Sequence, residues 1–190
     1  MKRISRRGVL AALGLGTVGT VALTGCASFL GASAATPSGQ VTDDYLDPDS
    51  LHSVEIAVDQ NAYQEMITAY TSNRTKNWIE ATVTVDGVAH EKAGLKLKGN
   101  SSLQGISADS EPQKLPWLVR FDKFVDGANH DGMTRMVIRA SSSTSALNEV
   151  VALDLLATTG LASEKAAHIS LSVNGSDPVL RLTCQDLDES

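Results

Sequence analysis

The sequence is poor in the residues that build disulfide scaffolds and metal centres. It has 190 residues but only two cysteines, Cys26 and Cys184, and four histidines. Two cysteines exclude a disulfide-rich scaffold. The histidines at positions 52, 90 and 168 are scattered, and no second histidine or cysteine lies at ligand spacing from His130. His130 beside Asp131 could be a metal ligand or a base, but a turn residue is the preferred interpretation, so we predict no metal site.

Positive charge is also scarce outside the N-terminus. The chain has 16 basic and 22 acidic residues, and four of the basic ones are Lys2, Arg3, Arg6 and Arg7. Without these four, the chain has 12 basic and 22 acidic residues, which gives a formal net charge of −10. This balance argues against nucleic acid as a partner and against a polybasic membrane-binding surface.

The N-terminus carries an uncharged stretch of 17 residues over 9–25. It is rich in glycine and interrupted by threonines, so it is short and weak for a transmembrane helix. The basic residues before it predict a signal peptide over 1–25. Residues 5–10, SRRGVL, resemble a twin-arginine export signal in which Val9 replaces the usual phenylalanine, and residues 23–26, LTGC, resemble a bacterial lipobox. A lipobox implies lipidation of Cys26 and a lipid anchor in the outer face of the cytoplasmic membrane; the alternative is a plain transmembrane anchor.

Residues 26–50 are small, polar and finally acidic, which predicts a flexible tether. A folded domain is expected over 51–190. Alternating apolar residues predict strands, and Asp86-Gly87 predicts a hairpin turn between two of them. Two stretches with helical spacing, one capped by Asp59 and one over 146–159, predict helices. The second helix has an apolar stripe of Leu147, Val150, Val151 and Leu155. We therefore expect an α+β domain, a mostly antiparallel sheet with this one main helix packed on it. Cys184 lies in an apolar strand and is expected to be a packed core thiol.

A small-residue loop lies between two of the predicted strands. It consists of Gly99, Asn100, Ser101 and Ser102, and Lys114 stands at the entry to the strand that follows. Backbone and hydroxyl donors close to a lysine are one way to hold a phosphate group. The alternative is an ordinary loop with a solvated lysine, which composition alone favours.

Glu149 lies one turn into the helix over 146–159, beside its apolar stripe. It could reach an element packed against the helix, or it could be a first-turn acid favoured by the helix dipole. The order of strands and helix is also that of the small lobe of protein kinases, in which a strand lysine pairs with a helix glutamate to place the ATP phosphates. Lys114 followed by Glu149 has the order of that pair.

Five segments together resemble the N-terminal part of the spore coat protein H (CotH) kinase-like family: LKLKGNSSL, QKLPWLVRFDKFVDG, HDGMTRMVIR, ALNEVVALDLLATTGLAS and SLSVNGSDPVLRLTCQDLD. The resemblance covers roughly residues 54–188. It implies an atypical surface kinase that binds ATP with a divalent metal and phosphorylates protein serines. Carried over to this chain, it implies that residues 99–102 form the phosphate loop, that Lys114 binds phosphate and that Glu149 is its ion-pair partner. Arg120 and Arg139 are the other basic candidates for the role of Lys114.

Two features of the chain depart from the resemblance. Gln185 stands where the family usually has a glutamate, and the large lobe with its catalytic aspartate and metal-binding acids is absent from these residues. We therefore expect no catalytic competence from this chain alone.

Two functions follow. The chain is either the nucleotide-binding half of a CotH-like kinase, whose partners are a protein substrate or a C-terminal lobe, or a surface interaction module without chemistry. Exposed apolar surface around residues 180–187 and under the Glu149 helix would indicate a missing partner, whereas a self-contained module should bury it.

Overall fold

A computed structural model describes residues 43–141 and 145–186. The predicted signal peptide, most of the predicted tether and the lipidation site Cys26 lie outside the described residues. Seven strands and two α-helices follow a short 3-10 turn at Asp43–Leu46. In chain order they are β1 (Leu51–Val58), α1 (Gln60–Asn73), β2 (Ile79–Val85), β3 (Val88–Leu97), β4 (Trp117–Arg120), β5 (Arg135–Ile138), α2 (Leu147–Thr158), β6 (Ala166–Val173) and β7 (Val179–Cys184).

The strands close into a barrel in the order β1-β2-β3-β4-β5-β7-β6. Six of the seven strand pairs are antiparallel, and the parallel pairing of β1 with β6, in which Leu51 lies beside His168, closes the ring. The expected α+β sheet of the kinase small-lobe type is therefore wrong, because the sheet closes into a barrel and the helix expected to pack on it buries no residue. Period-2 alternation predicts each strand but not which distant strands pair.

Side chains that alternate along the strands fill the interior of the barrel. Two of the largest, Trp117 and Leu171, are fully shielded from solvent. The same buried cluster contains residues from every strand except β7: Val54, Ile56, Val83, Val85, Leu95, Leu97, Val119, Met136, Ile138 and Ile169 are among them. Burying a side chain of this size stabilises the fold by about 1.5–3 kcal/mol.

The packed helix is α1, not α2. Asp59 caps α1 by accepting a hydrogen bond of 2.9 Å from the Ala62 amide, as the sequence predicted. Tyr63 is buried with the rest of its apolar face, and its ring lies 6.4 Å from that of Trp117. The helix thus packs at the end of the barrel where β1, β3 and β5 end, which we call the upper end.

The second helix, α2, contradicts the expectation of a packed helix. It has no buried residue. Val151 and Leu155, two members of the predicted stripe, are 62% and 64% exposed. The helix crosses from the end of β5 to the start of β6 outside the barrel, and four of its apolar residues are exposed: Leu147, Val151, Leu155 and Leu156.

Several local predictions are confirmed. Asp86 and Gly87 form the two-residue hairpin turn between β2 and β3, both with positive φ. Backbone hydrogen bonds of 2.9 and 2.8 Å between His130 and Met133 place His130 at a turn. Cys184 is free and fully buried, and burial raises the pKa of its thiol to about 11.

Candidate functional site

The small-residue loop lies at the upper end of the barrel, directly after β3. Gly99 adopts φ = 92°, and a Cβ atom there would lie 2.1 Å from the Ser102 hydroxyl oxygen. Glycine is therefore required both for the backbone conformation and for the close approach of Ser102. The fully buried Leu103 anchors the end of the loop in the core. From outside, the Lys76 ammonium donates hydrogen bonds to the Gly99 carbonyl and, at 2.9 Å, to the Asn100 side-chain oxygen.

A cavity of about 300 Å³ opens beside this loop. Its wall brings together the loop, the end of β5 and the first turn of α2: Lys98, Gly99, Asn100, Ser101, Ser102, Pro116, Val137, Ile138, Arg139, Ala140 and Glu149. The structure thus joins the predicted loop and the predicted Glu149 in one cavity, although they are far apart in the sequence.

The cation beside Glu149 is Arg139. The Arg139 Nε atom lies 3.0 Å from Glu149 Oε1, an ion-pair contact outside hydrogen-bond geometry, and another guanidinium nitrogen donates to Glu164 at 2.6 Å. Burial by itself would lower the pKa of Arg139, but the contact with Cys184 and the charges of Glu149 and Glu164 outweigh it and raise the pKa above its usual value. Arg139 therefore stays charged at the cavity wall.

Lys114, the predicted phosphate ligand, does not line this cavity. It ends a 3-10 turn, Pro112–Lys114, and its ammonium donates to Glu111 at 2.9 Å in an exposed pair. The structure therefore pairs Lys114 with Glu111 and Glu149 with Arg139, so the expected contact between Lys114 and Glu149 is not formed. Arg120, the third basic candidate, contacts Asp122 at 2.6 Å.

The second cation of the cavity is Lys98. Its ammonium donates to Asp186 at 2.5 Å, and this carboxylate also lies 3.6 Å from Arg135. Lys98 is one-third exposed, whereas the Asp186 side chain is largely buried. Asp186 therefore fixes the position of Lys98, whose side chain stays partly exposed.

Behind the cavity lies a buried guanidinium that the sequence analysis did not single out. Arg181 on β7 is 3% exposed, and it donates to the backbone carbonyls of Arg139 at 2.5 Å and Leu115 at 3.3 Å. Its Nε atom is buried without a hydrogen-bond partner in the described part of the chain. Burial lowers the pKa of Arg181 from its usual value. Because a buried charge acts through a low dielectric, this residue adds positive potential to the wall formed by Arg139.

A second polar cluster lies at the lower end of the barrel and joins histidines that looked scattered in the sequence. His90 Nε2 lies 3.0 Å from His130 Nδ1, and His52 Nδ1 lies 2.7 Å from Asp86. The Tyr45 ring contacts both His52 and His130 at centroid distances of 4.6 and 5.4 Å. The pairing of β1 with β2 brings His52 to Asp86, and the turn at His130 lies against His90 on β3, so sequence spacing gave no signal.

Burial favours the neutral forms of His90 and His130. Desolvation lowers the pKa of His90 and of His130, and the charge of His130 lowers that of His90 further. Desolvation would raise the pKa of Asp86, but hydrogen bonds from the Ser53 amide and from His52 lower it below its usual value. Within residues 43–141 and 145–186, no group of three or more histidine, cysteine or acidic side chains could hold a metal ion.

Comparison with protein-family models and with curated proteins finds no match for this chain. The resemblance to the CotH family therefore remains a prediction from the sequence segments. In the described residues, no helix is both long enough and apolar enough to span a membrane.

Proposed function

We propose that the cavity beside the small-residue loop, at the upper end of the barrel, binds the phosphate groups of a nucleotide. The chain would act as a binding module without phosphoryl transfer of its own. The observation that carries this proposal is the convergence of the loop, Lys98, Arg139 and Glu149 on one cavity of about 300 Å³. Loop amides and hydroxyls together with fixed cations suit a phosphate, and the buried Arg181 behind them adds to the positive potential.

The ATP and divalent metal implied by the family resemblance can be compared with these residues. Three polar loop residues and two cations fit a phosphate group. Glu149 is the only carboxylate among the described residues that line the cavity, and it already contacts Arg139. Because Mg²⁺ is commonly held by one or two carboxylates plus substrate phosphates, a metal here would depend on the phosphates and Glu149. Such a metal would neutralise phosphate charge, and the chain would hold and orient the phosphates.

Calorimetric titration of the full-length chain with ATP, with and without Mg²⁺, tests this proposal. Lys98→Gln should weaken binding about ten-fold, because a charge-assisted hydrogen bond to a phosphate is lost. Lys114→Gln is the matched control and should bind like the parent chain. Weakening by Lys114→Gln alone would instead support the role of Lys114 inferred from the sequence. An absence of ATP binding by the parent chain would overturn the proposal.

We also propose the localisation inferred from the sequence, the outer face of the cytoplasmic membrane through a lipid on Cys26. The support is the LTGC segment and the basic, then uncharged, residues before it. Cys26→Ser should abolish metabolic labelling with palmitate, with Cys184→Ser as the matched control. Label retained by Cys26→Ser would refute the lipobox.

A second candidate function is a protein-interaction module that uses α2. Leu147, Val151, Leu155, Leu156 and Leu161 are exposed on or just after this helix, and Leu180 on β7 is 40% exposed. Exposed apolar surface argues against a self-contained module and favours a missing partner that covers α2, which would be a C-terminal lobe or another protein with an apolar face. Chemical cross-linking from Asp154→Cys should capture that partner in cells, and Val151→Glu should abolish the capture.

A further inference from the structure

The outer surface of β3, β4 and β5 concentrates positive charge in a chain that is acidic overall. In this part of the sheet, Gly94 pairs with Arg120, which pairs with Arg135, and Lys96 pairs with Leu118. Trp117 and Val119 point into the core, so their neighbours Leu118 and Arg120 lie on the outer surface. We define the basic face as six half-buried residues of this surface and its margins: Lys76, Lys96, Lys98, Arg120, Lys123 and Arg135.

Trp78 is the centre of this face. The Lys96 ammonium lies 4.4 Å from the centroid of its ring, and the Lys123 ammonium lies 5.5 Å from it. Both lysines are held by cation–π contacts to one aromatic ring. In the described residues, no carboxylate lies within ion-pair distance of either lysine.

Three of the other cations of the face have acidic neighbours that position them. Asp122 holds Arg120, and Asp186 contacts Lys98 and Arg135. Within the described residues, the ion pairs of these cations involve two carboxylates, Asp122 and Asp186. Burial lowers the pKa of Lys96, and the charges of Lys98, Lys76 and Arg135 lower it further, as expected where cations crowd together. The net charge of the chain does not reveal this surface, because most of the acidic residues lie on other parts of the molecule.

We propose that the basic face binds an extended phosphate polyanion, with Lys96 and Lys123 as its principal contacts. Each lysine ammonium is a compact point charge with three donors, so it can contact oxygens along a phosphate chain without a fixed bidentate geometry. The cations are spread over three neighbouring strands, which lie about 4.8 Å apart, so they can meet a chain of charges rather than one group. The face lies outside the cavity proposed for nucleotides, apart from Lys98, which borders both.

Binding of the full-length chain to linear inorganic polyphosphate, measured by fluorescence anisotropy at several salt concentrations, tests this proposal. The affinity should fall steeply with salt, because bound phosphates release counterions. Lys96→Glu/Lys123→Glu should weaken binding at least about ten-fold and reduce the salt slope. Lys114→Glu/Lys165→Glu makes the same change in net charge at two lysines that belong neither to this face nor to the wall of the nucleotide cavity, and it should bind almost like the parent chain. Circular dichroism melting verifies that each variant is folded.

Three outcomes would overturn the proposal: no binding of polyphosphate by the parent chain at low salt, an equal loss in both double variants, or tighter binding of single-stranded DNA than of polyphosphate with the same charge. ATP binding is measured on the same variants. Neither double variant changes Lys98, Arg139 or Glu149. Failure of the polyphosphate proposal can therefore be distinguished from failure of the nucleotide proposal.

Discussion

The Arg139 guanidinium lies 3.0 Å from the Glu149 carboxylate and thereby joins the end of β5 to the first turn of α2. The same guanidinium donates to Glu164, just before β6. Since α2 buries no side chain, the Arg139–Glu149 pair is the principal specific contact of its first turn with the barrel in the described residues. The helix should therefore be held at its N-terminal end by charge rather than by packing.

Replacing Glu149 with Gln should loosen α2 without unfolding the barrel. Both side chains of the pair are about one-third exposed, and such pairs contribute about 0.2–1 kcal/mol. Amide hydrogen exchange over 147–158 should accelerate about two- to five-fold, whereas exchange in β3 should not change. Asp154→Asn on the same helix is the control and should leave exchange unaltered. Equal exchange in parent and Glu149→Gln would show that α2 is held by other contacts.

The exposed apolar side chains of α2 should tolerate replacement by alanine with little change in the free energy of unfolding. Leu155→Ala should change the free energy of unfolding by less than about 0.5 kcal/mol, because this leucine is 64% exposed. Leu171→Ala, at a fully buried position of β6, should cost about 2–5 kcal/mol. Urea unfolding of the two variants gives both values. A cost above 2 kcal/mol for Leu155→Ala would mean that α2 is packed in solution.

These two leucines also show how far the sequence predicts the fold. Strands, the Asp86–Gly87 turn and the cap at Asp59 depend on neighbouring residues, and the structure confirms them. The apolar spacing of α2 predicts a helix correctly, but it cannot say whether another element covers that helix. Closure of the barrel depends on β1 meeting β6, more than 100 residues later, and no local pattern encodes that pairing.

The candidate site, too, was predicted from the sequence only in part. The sequence proposed residues 99–102 and Glu149, and the structure brings them together in one cavity. It also proposed Lys114 as the nearby cation, but Lys114 has Glu111 three residues before it and ends an exposed turn. The cations that do line the cavity, Lys98 and Arg139, follow the ends of β3 and β5. Their positions depend on strand pairing rather than on chain order.

The contact between His90 and His130 predicts a loss of stability in weak acid. The pKa of each is lowered in the folded state, so below about pH 6.5 the unfolded chain binds more protons and folding becomes weaker. Stability should therefore fall as the pH drops from about 7.5 to 5.5 and change less once the pH passes below the folded pKa values. Urea unfolding at each pH measures this dependence.

His90→Gln is the variant that tests the origin of this pH dependence. It removes one titrating ring and the charge repulsion with His130, so the difference in unfolding free energy between pH 7.5 and 5.5 should shrink. His168→Gln on β6 leaves the pair intact and should retain the parent's pH dependence. A pH dependence that is the same in His90→Gln and the parent chain would assign it to other groups.

Gly94 on β3 should not tolerate a side chain. A Cβ atom there would lie 2.5 Å from Lys123 Cβ and 3.0 Å from Trp78 Cε3, closer than such atoms approach. Gly94→Ala should therefore displace Lys123 or the strand and cost about 1–3 kcal/mol in thermal or urea unfolding.

The cost of Gly94→Ala should depend on Lys123, because the closest atoms belong to that side chain. In a Lys123→Gly background, which removes both the Cβ and the Cγ atom that lie within 2.6 Å, the alanine should cost clearly less than in the parent chain. A double-mutant cycle measures this coupling. If the alanine costs the same in both backgrounds, the strain arises from Trp78 or from the strand, and Lys123 does not pack over Gly94 as described.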